Sequence, residues 1–208
     1  MKETAKPKIG ILAIQGDFAA HAAMLQSLGA ETIEVRTVAD LEQCDALVLP
    51  GGESTTQLQF LQEEGLFEAI KKVAANNFPV LGTCAGAILL ATHVSNPPQA
   101  SLGLLDMSVL RNAYGRQVAS DVFIGSSKLK SGPMEMVFIR APIIDSVGAG
   151  VEVLSEYANK PTLVQKGSIL AATFHPELTD DPTVHQHFLD LVRKNAVPAE
   201  SVSAQTGK

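Results

Sequence analysis

Cys84 stands in the run Gly82-Thr83-Cys84-Ala85-Gly86, where a short apolar stretch with strand character passes directly into a predicted helix. The spacing Gly-x-Cys-x-Gly matches the tight strand-to-helix turn that exposes a nucleophile, with a thiol in place of a hydroxyl. Small neighbours permit such a bend, and the first amides of the helix would point at the sulfur. The pattern predicts a nucleophilic thiol, although a lone cysteine is also commonly a small buried apolar residue.

A base for this thiol is offered late in the chain by the segment His175-Pro176-Glu177, which follows an apolar run. A thiol nucleophile needs a group that takes its proton and returns it to the leaving group. His175 suits that role, and Glu177 can bind the far side of the imidazole and fix its tautomer. We therefore predict a catalytic triad of Cys84, His175 and Glu177. Without the thiol motif, the same segment would be an ordinary surface turn.

Acyl chemistry at a thiolate also needs backbone amides that hold the developing oxyanion, and losing one such donor typically costs about 10²–10³ in rate. We predict the amides of Gly52 and Ala85 for this oxyanion hole. Ala85 directly follows the nucleophile, as the tight turn requires. Gly51-Gly52 follows a predicted strand, but paired glycines are common in turns, so this signal depends on the thiol motif.

Composition narrows the class of protein. The 208 residues, of which 46% are hydrophobic, suit one compact domain. The net charge of −6, without a basic cluster, argues against nucleic acid, and the apolar runs are too short to span a membrane. Cys44 and Cys84 form no metal-binding pair or disulfide framework, and the polar start lacks a signal peptide. We expect a cytoplasmic protein that binds no metal, nucleic acid or membrane.

The first half alternates strand-like and helical patterns, which is typical of parallel strands joined by crossover helices. Strands are predicted at 8–14, 31–35, 46–49 and just before Cys84, and helices at 19–28, 54–63, 67–76 and 85–91. Gly29 is predicted to end the first helix, and Ser54 with Gln57 forms a candidate capping box for the second.

The second half is richer in strands, several of them expected to be antiparallel, and ends in an amphipathic helix. The strands are predicted at 106–111, 117–124, 134–139, 151–155, 162–166 and 169–174, and the helix at 185–194. The loop 96–101 reads only as a connection. We predict a flexible N-terminus over 1–7, a single domain over 8–195 and a disordered tail over 196–208.

Other polar residues carry weaker signals. His185 and His187 point about 200° apart on a helix, so we predict two solvated side chains rather than a metal pair. His21, in the first helix, could be structural or part of a docking face. Arg111 and Arg140 each end a strand and could bind a carboxylate, although isolated arginines are more often surface charges.

Together these motifs resemble the triad class of glutamine amidotransferase domains, and within it the glutaminase subunits of pyridoxal 5′-phosphate synthase. The elbow and His-Pro-Glu are common to many amidotransferases, whereas two other motifs are more particular to these subunits. The matching segments are Gln15-Gly16, Pro50-Gly51-Gly52-Glu53-Ser54-Thr55-Thr56, Gly82-Thr83-Cys84-Ala85-Gly86, Arg111-Asn112, Gly115-Arg116-Gln117, Val137-Phe138-Ile139-Arg140-Ala141-Pro142 and Phe174-His175-Pro176-Glu177-Leu178. The two motifs that are more particular to these subunits are Gly-Gly-Glu-Ser-Thr-Thr and Val-Phe-Ile-Arg-Ala-Pro.

The resemblance implies a three-layer class I glutamine amidotransferase-like (flavodoxin-like) α/β fold. Its central sheet would be mostly parallel, with helices on both faces and additional antiparallel strands in the second half. It implies hydrolysis of L-glutamine to L-glutamate and ammonia through a thioester, without a cofactor. Substrate binding would fall to Gly52, Glu53, Ser54, Arg111, Ile139 and Arg140.

The resemblance also implies a partner. Ammonia would pass to a synthase subunit for the synthesis of pyridoxal 5′-phosphate (vitamin B6). That subunit would dock near residues 15–21 and turn a peptide near Gly51-Gly52 into its oxyanion-binding orientation. This chain differs from many relatives in having Ala19-Ala20, rather than charged residues, just before His21.

Two other classes of protein remain as alternatives. A cysteine-elbow hydrolase or deglycase of the stress-protein type shares the sheet and the thiol, but such proteins generally lack His-Pro-Glu after the late strand. A non-catalytic regulatory subunit would be favoured if Cys84 or His175 were replaced, and both residues are present.

Overall fold

The protein is described by a computed structural model that covers residues 6–112 and 120–196. The strands are β1 (Lys8–Leu12), β2 (Glu31–Val35), β3 (Ala46–Leu49), β4 (Val80–Thr83), β5 (Ala91–Ser95), β6 (Leu105–Leu110), β7 (Ser120–Ser127), β8 (Pro133–Ile139), β9 (Ile143–Val147), β10 (Glu152–Tyr157), β11 (Lys160–Lys166) and β12 (Ile169–Ala172). The helices are α1 (Phe18–Ser27), α2 (Val38–Leu41), α3 (Ser54–Glu63), α4 (Leu66–Ala74), α5 (Ala85–Leu90) and α6 (Thr183–Ala196). None of these described helices is both long enough and apolar enough to cross a membrane.

Nine of the described strands form one sheet in the order β2-β1-β3-β4-β12-β11-β10-β7-β8. The first five lie parallel, and from β12 onward each neighbouring pair is antiparallel. A smaller sheet, β5-β6-β9, has one parallel and one antiparallel pair. Because the ends of neighbouring parallel strands lie at one edge of a sheet, the loops after β3, β4 and β12 come together there.

Alternating side chains of the parallel strands pack into two apolar clusters. On β3, Leu47 and Leu49 belong to one cluster and Ala46 and Val48 to the other, so the clusters lie on opposite faces. The helices α3, α4 and α5 contribute to the first cluster, and α1 and α6 to the second. This arrangement gives three layers, helices over a central sheet over helices, and confirms the predicted α/β fold class.

Two glycines beside Cys84 let α5 pack directly on the sheet. A Cβ atom on Gly86 would lie 1.9 Å from the Leu49 carbonyl oxygen, and one on Gly82 would lie 2.6 Å from Leu90 Cδ1. Both distances are far shorter than a normal contact between non-bonded atoms. The small residues of this motif are therefore required for space between strand and helix.

The predicted bounds of β2, β3 and α3 match the structure, and Gly29 ends α1 with a φ of 88°. The capping box was wrong: the N-cap of α3 is Glu53, whose side chain accepts a hydrogen bond from the Thr55 amide. Elements missing from the prediction are α2, β5, β9 and a 3₁₀ turn at Pro176–Leu178. Ala196 belongs to α6. The Gly115-Arg116-Gln117 motif, residues 1–5 and the tail from 197 lie outside the described residues.

Candidate active site

A cavity of about 320 Å³ lies at the edge of the sheet where β3, β4 and β12 end. Nearly all of the residues predicted to form the site line it: Gly52, Glu53, Ser54, Cys84, Ala85, Arg111, Ile139, Arg140 and His175. Glu177, which does not line the cavity, lies behind His175. The structure therefore brings together side chains that are distant in the sequence.

Cys84 occupies the predicted turn between β4 and α5. Its φ of 48° and ψ of −103° are unfavourable for a residue that carries a side chain. Such strain is concentrated at functional sites because the surrounding structure must hold it. The side chain is largely buried, with Sγ 3.9 Å from the Ile139 carbonyl oxygen, yet it borders the cavity. The bend thus presents the sulfur to a ligand.

His175 lies between Cys84 and Glu177. Its Nδ1 is 2.8 Å from Glu177 Oε1, and its ring borders the cavity together with Cys84. Burial acts to lower the pKa of His175, but the hydrogen bonds and charges of Cys84 and Glu177 outweigh it and raise the pKa to about 10. An imidazolium at this position stabilises negative charge on the sulfur.

The far side of Glu177 contacts buried His21, which in turn contacts buried His185. Glu177 Oε2 makes no hydrogen bond to the described residues and lies 3.3 Å from His21 Nε2, which is also 3.1 Å from Thr83 Oγ1. His21 Nδ1 is 2.9 Å from His185 Nε2. Burial lowers the pKa of both histidines, that of His185 to about 4, so both are neutral at pH 7.

These contacts correct the prediction for His185, which is fully buried rather than solvated. His187 does point away from it and is half-buried, with Nε2 2.7 Å from Gln165 Oε1. His21, whose role the sequence left open, is fully buried behind Glu177. No local pattern indicated the pairing, since 164 residues separate His21 from His185.

The loop after β3 lies against the imidazole. A Cβ atom on Gly51 would lie 2.4 Å from His175 Cε1, so only glycine fits there. Gly52 has a φ of 131°, a conformation that glycine alone adopts readily. Gln15 Nε2 donates to the Glu53 carbonyl oxygen at 2.9 Å, and Gln57 Nε2 donates to the carbonyl oxygens of Pro50 and Gly51.

One side of the cavity carries charged and polar side chains. Arg111 Nη2 donates to Glu53 Oε1 at 3.1 Å and to Thr55 Oγ1 at 3.0 Å, with only 11% of the arginine side chain exposed. Ser54 Oγ donates to Gln99 Oε1 at 2.9 Å. The loop 96–101 is therefore more than the connection that we predicted, because Gln99 holds the start of α3.

Sequence reasoning did not assign roles to other residues of the cavity, among them Asp17, Ile88 and Asn112. Ile88 was within reach of prediction, because it lies one helical turn after Cys84. Single donor atoms of Asp17, His175 and Glu177 lie within 4.8 Å of one another. Because His175 Nδ1 and Glu177 Oε1 already bind each other, this set does not favour a metal site.

Comparison with known proteins agrees with this geometry. Residues 11–194 match the model of the SNO glutamine amidotransferase family. The pyridoxal 5′-phosphate synthase subunits PdxT of Koribacter versatilis and Fervidobacterium nodosum are 52% and 47% identical to the chain. Each alignment covers 89% of this chain, and 96% and 97% of the respective relative.

A solved structure described as a glutamine amidotransferase is 44% identical and superimposes with a TM-score of 0.84. The alignment covers 89% of this chain and 98% of that one. The family match and the relatives extend over most of the chain, and the family match includes all of the residues that line the cavity. The chain therefore belongs to the SNO glutamine amidotransferase family.

Proposed function

We propose that this chain is the glutaminase subunit of a pyridoxal 5′-phosphate synthase. It hydrolyses L-glutamine to L-glutamate and ammonia, and passes the ammonia to a partner synthase subunit. The observation that carries the proposal is the strained Cys84 facing a buried His175 that Glu177 holds at 2.8 Å. The names of the PdxT relatives support the partner and the pathway.

In the first half of the reaction, Cys84 Sγ attacks the side-chain amide carbon of glutamine. The carbonyl oxygen becomes an oxyanion, for which the amides of Gly52 and Ala85 are the proposed donors. The imidazolium of His175 then gives its proton to the nitrogen as the carbon–nitrogen bond breaks. Ammonia leaves and a thioester to Cys84 remains. The raised pKa of His175 supports this role, because it keeps the proton available at neutral pH.

The second half needs His175 as a base, and the first half prepares it. His175 has lost its proton to ammonia, and the sulfur in a thioester no longer carries the charge that helped raise the pKa of the imidazole. The neutral ring can therefore take a proton from water as that water attacks the thioester carbon. Glutamate is released, and the proton returns the pair to its starting state.

Charges at the cavity fit the backbone groups of glutamine. Arg111 and Arg140 offer guanidinium groups to the α-carboxylate, and Glu53 offers a carboxylate to the α-ammonium. Gly52, Ser54 and Ile139 complete the proposed binding surface. We propose residues 15–21 for docking of the synthase, 8–195 as one glutaminase domain, and a cytoplasmic location, for which the free thiols of Cys44 and Cys84 are typical.

The test is glutamate release from glutamine by the chain alone and with a pyridoxal 5′-phosphate synthase subunit. Cys84→Ala should abolish turnover in both conditions, because the thioester can no longer form. Cys44→Ala is the matched control, since that half-buried thiol donates to the Asp40 carbonyl oxygen away from the cavity. Turnover above background by Cys84→Ala would rule out this nucleophile. No turnover by the unaltered chain in either condition would favour a hydrolase of another specificity.

A further inference from the structure

Gln57 is a buried glutamine whose side chain points at the loop after β3. It lies on α3, one turn after the N-cap, and is fully buried. The two hydrogens of Nε2 go to two successive carbonyl oxygens, those of Pro50 at 3.2 Å and Gly51 at 2.9 Å. The side chain therefore does not cap its own helix, but donates both hydrogen bonds to the backbone of the loop.

The other end of the Gln57 amide is unpaired. Oε1 is buried and has no hydrogen-bond partner among the described residues. The opposite orientation of the amide is excluded, because it would place Oε1 against two carbonyl oxygens. A buried acceptor without a partner is destabilising. The two hydrogen bonds that Nε2 makes to the loop offset this cost, which assigns the role of the side chain to its donor end.

The hydrogen bond from Gln57 to the Gly51 carbonyl oxygen determines where the Gly52 amide points. In a trans peptide the C=O and N–H bonds lie on opposite sides, so a Gly51 carbonyl directed at Gln57 directs the Gly52 N–H the other way. Gln57 does not line the cavity, whereas Gly52 does, together with Cys84 and Ala85. Within the described residues the Gly52 amide donates to no backbone carbonyl, so it is free to bind a ligand.

Gly51 packs against His175 and Gly16, but among the described residues the Gly51–Gly52 peptide makes no hydrogen bond except the one to Gln57. Gly52 adopts a φ of 131°, and neither Gly51 nor Gly52 carries a side chain that would resist rotation of the peptide between them. Rotation would break the 2.9 Å bond to Gln57 and bury an unpaired Gly51 carbonyl. We propose that Gln57 is a positioning residue that, with the synthase subunit docked, keeps the Gly51–Gly52 peptide in the orientation that directs its N–H into the cavity as a donor to the oxyanion.

This inference rests on the proposed glutaminase activity, and its test is Gln57→Met in the complex with the synthase subunit. Methionine keeps the length of the side chain but has no donor. The oxyanion forms in the tetrahedral intermediate and in the transition states that flank it, but not in the bound substrate, so kcat should fall and KM should stay within about threefold. We expect a loss in kcat of at least about tenfold, set against about 10²–10³ for complete removal of one donor.

A second readout separates positioning from general damage to the site. Iodoacetamide alkylates a thiolate by displacing iodide and forms no oxyanion, so its reaction with Cys84 should proceed at the same rate in Gln57→Met. The modified peptide is quantified by mass spectrometry. Cys44 interferes little at neutral pH, because burial and the charges of Asp45 and Asp40 raise its pKa to about 11.

The matched control is Gln59→Met on the same helix. Gln59 is exposed and donates to Glu63, so this variant should keep full turnover. Gln57→Leu serves as a second variant if Gln57→Met does not fold. Unchanged kcat in the folded variant, or parallel loss of turnover and alkylation, would overturn the inference. If the unaltered complex releases no glutamate from glutamine, the proposed function fails instead.

Discussion

The parallel and antiparallel parts of the molecule contribute different things to the cavity. The parallel strands β3, β4 and β12 are buried along their whole length, because helices cover both faces. They deliver Gly52, Cys84 and His175. The strands β6 and β8 each have an antiparallel neighbour and are called here the antiparallel part, although β6 also pairs in parallel with β5. They alternate between buried and more exposed positions, and their ends deliver Arg111, Ile139 and Arg140.

In the proposed function, this difference separates the chemistry from the binding of the α-carboxylate. The parallel part holds a strained residue and glycines packed against backbone, an arrangement that tolerates almost no movement. The antiparallel part reaches the cavity with long side chains, such as that of Arg111. We expect substitutions of the triad and the oxyanion donors in the parallel part to lower kcat, and substitutions of the arginines in the antiparallel part to raise KM.

The largest effect after loss of Cys84 is expected for Glu177→Gln. The amide can no longer stabilise the imidazolium or hold the required tautomer, so kcat should fall by about 10²- to 10⁴-fold with KM nearly unchanged. Asp145→Asn, which removes an exposed carboxylate paired with Lys160 in the antiparallel part, is the control. Steady-state kinetics with circular dichroism would decide, and an unfolded Glu177→Gln protein would indicate a structural role.

A smaller effect, on KM rather than on kcat, is expected for Arg111→Ala. Hydrogen bonds to a charged partner contribute about 1.5–3 kcal/mol, so losing the guanidinium should raise KM about 10- to 100-fold. The ion pair itself should contribute less than about 1 kcal/mol to stability, because Glu53 is mostly exposed, so any larger loss would come from the packing of the buried arginine side chain. Arg193→Ala on α6 is the control. A fall in kcat with constant KM would break the division between the two parts.

Most of the site could be predicted because its motifs are local. Two short motifs, each within five residues, predict both a turn and a chemical role. They are Cys84 with its glycine neighbours, and His175-Pro176-Glu177. β5 was missed because it begins at Ala91, directly after α5, with no glycine or proline between them to mark the change.

Long-range contacts explain the remaining errors. Gln57 has the spacing of a capping residue, but the nearby carbonyl oxygens of the loop take its amide instead. His185 looked solvated because its only neighbours considered were on its own helix. Its partner, His21, comes from the other end of the chain, and no pattern within one helix reports such a contact.

The smallest expected effect is a shift in the pH dependence of turnover, which also tests the division between the parallel and antiparallel parts. The proton on His175 that departing ammonia needs is present below its pKa of about 10 and is lost as the pH rises through that value. Turnover should therefore decline near pH 10. Glu177→Gln should move the decline to lower pH, since the Glu177 hydrogen bond and charge help raise the pKa.

Arg111→Ala should leave the midpoint of this decline in place, because Arg111 is not among the groups that shift the pKa of His175. Profiles of kcat against pH for the unaltered chain and both variants provide the measurement. If Arg111→Ala moved the midpoint as far as Glu177→Gln does, the charge of Arg111 in the antiparallel part would be affecting the pKa of His175. Recognition and proton transfer would then be coupled through the cavity, rather than divided between the two parts of the fold.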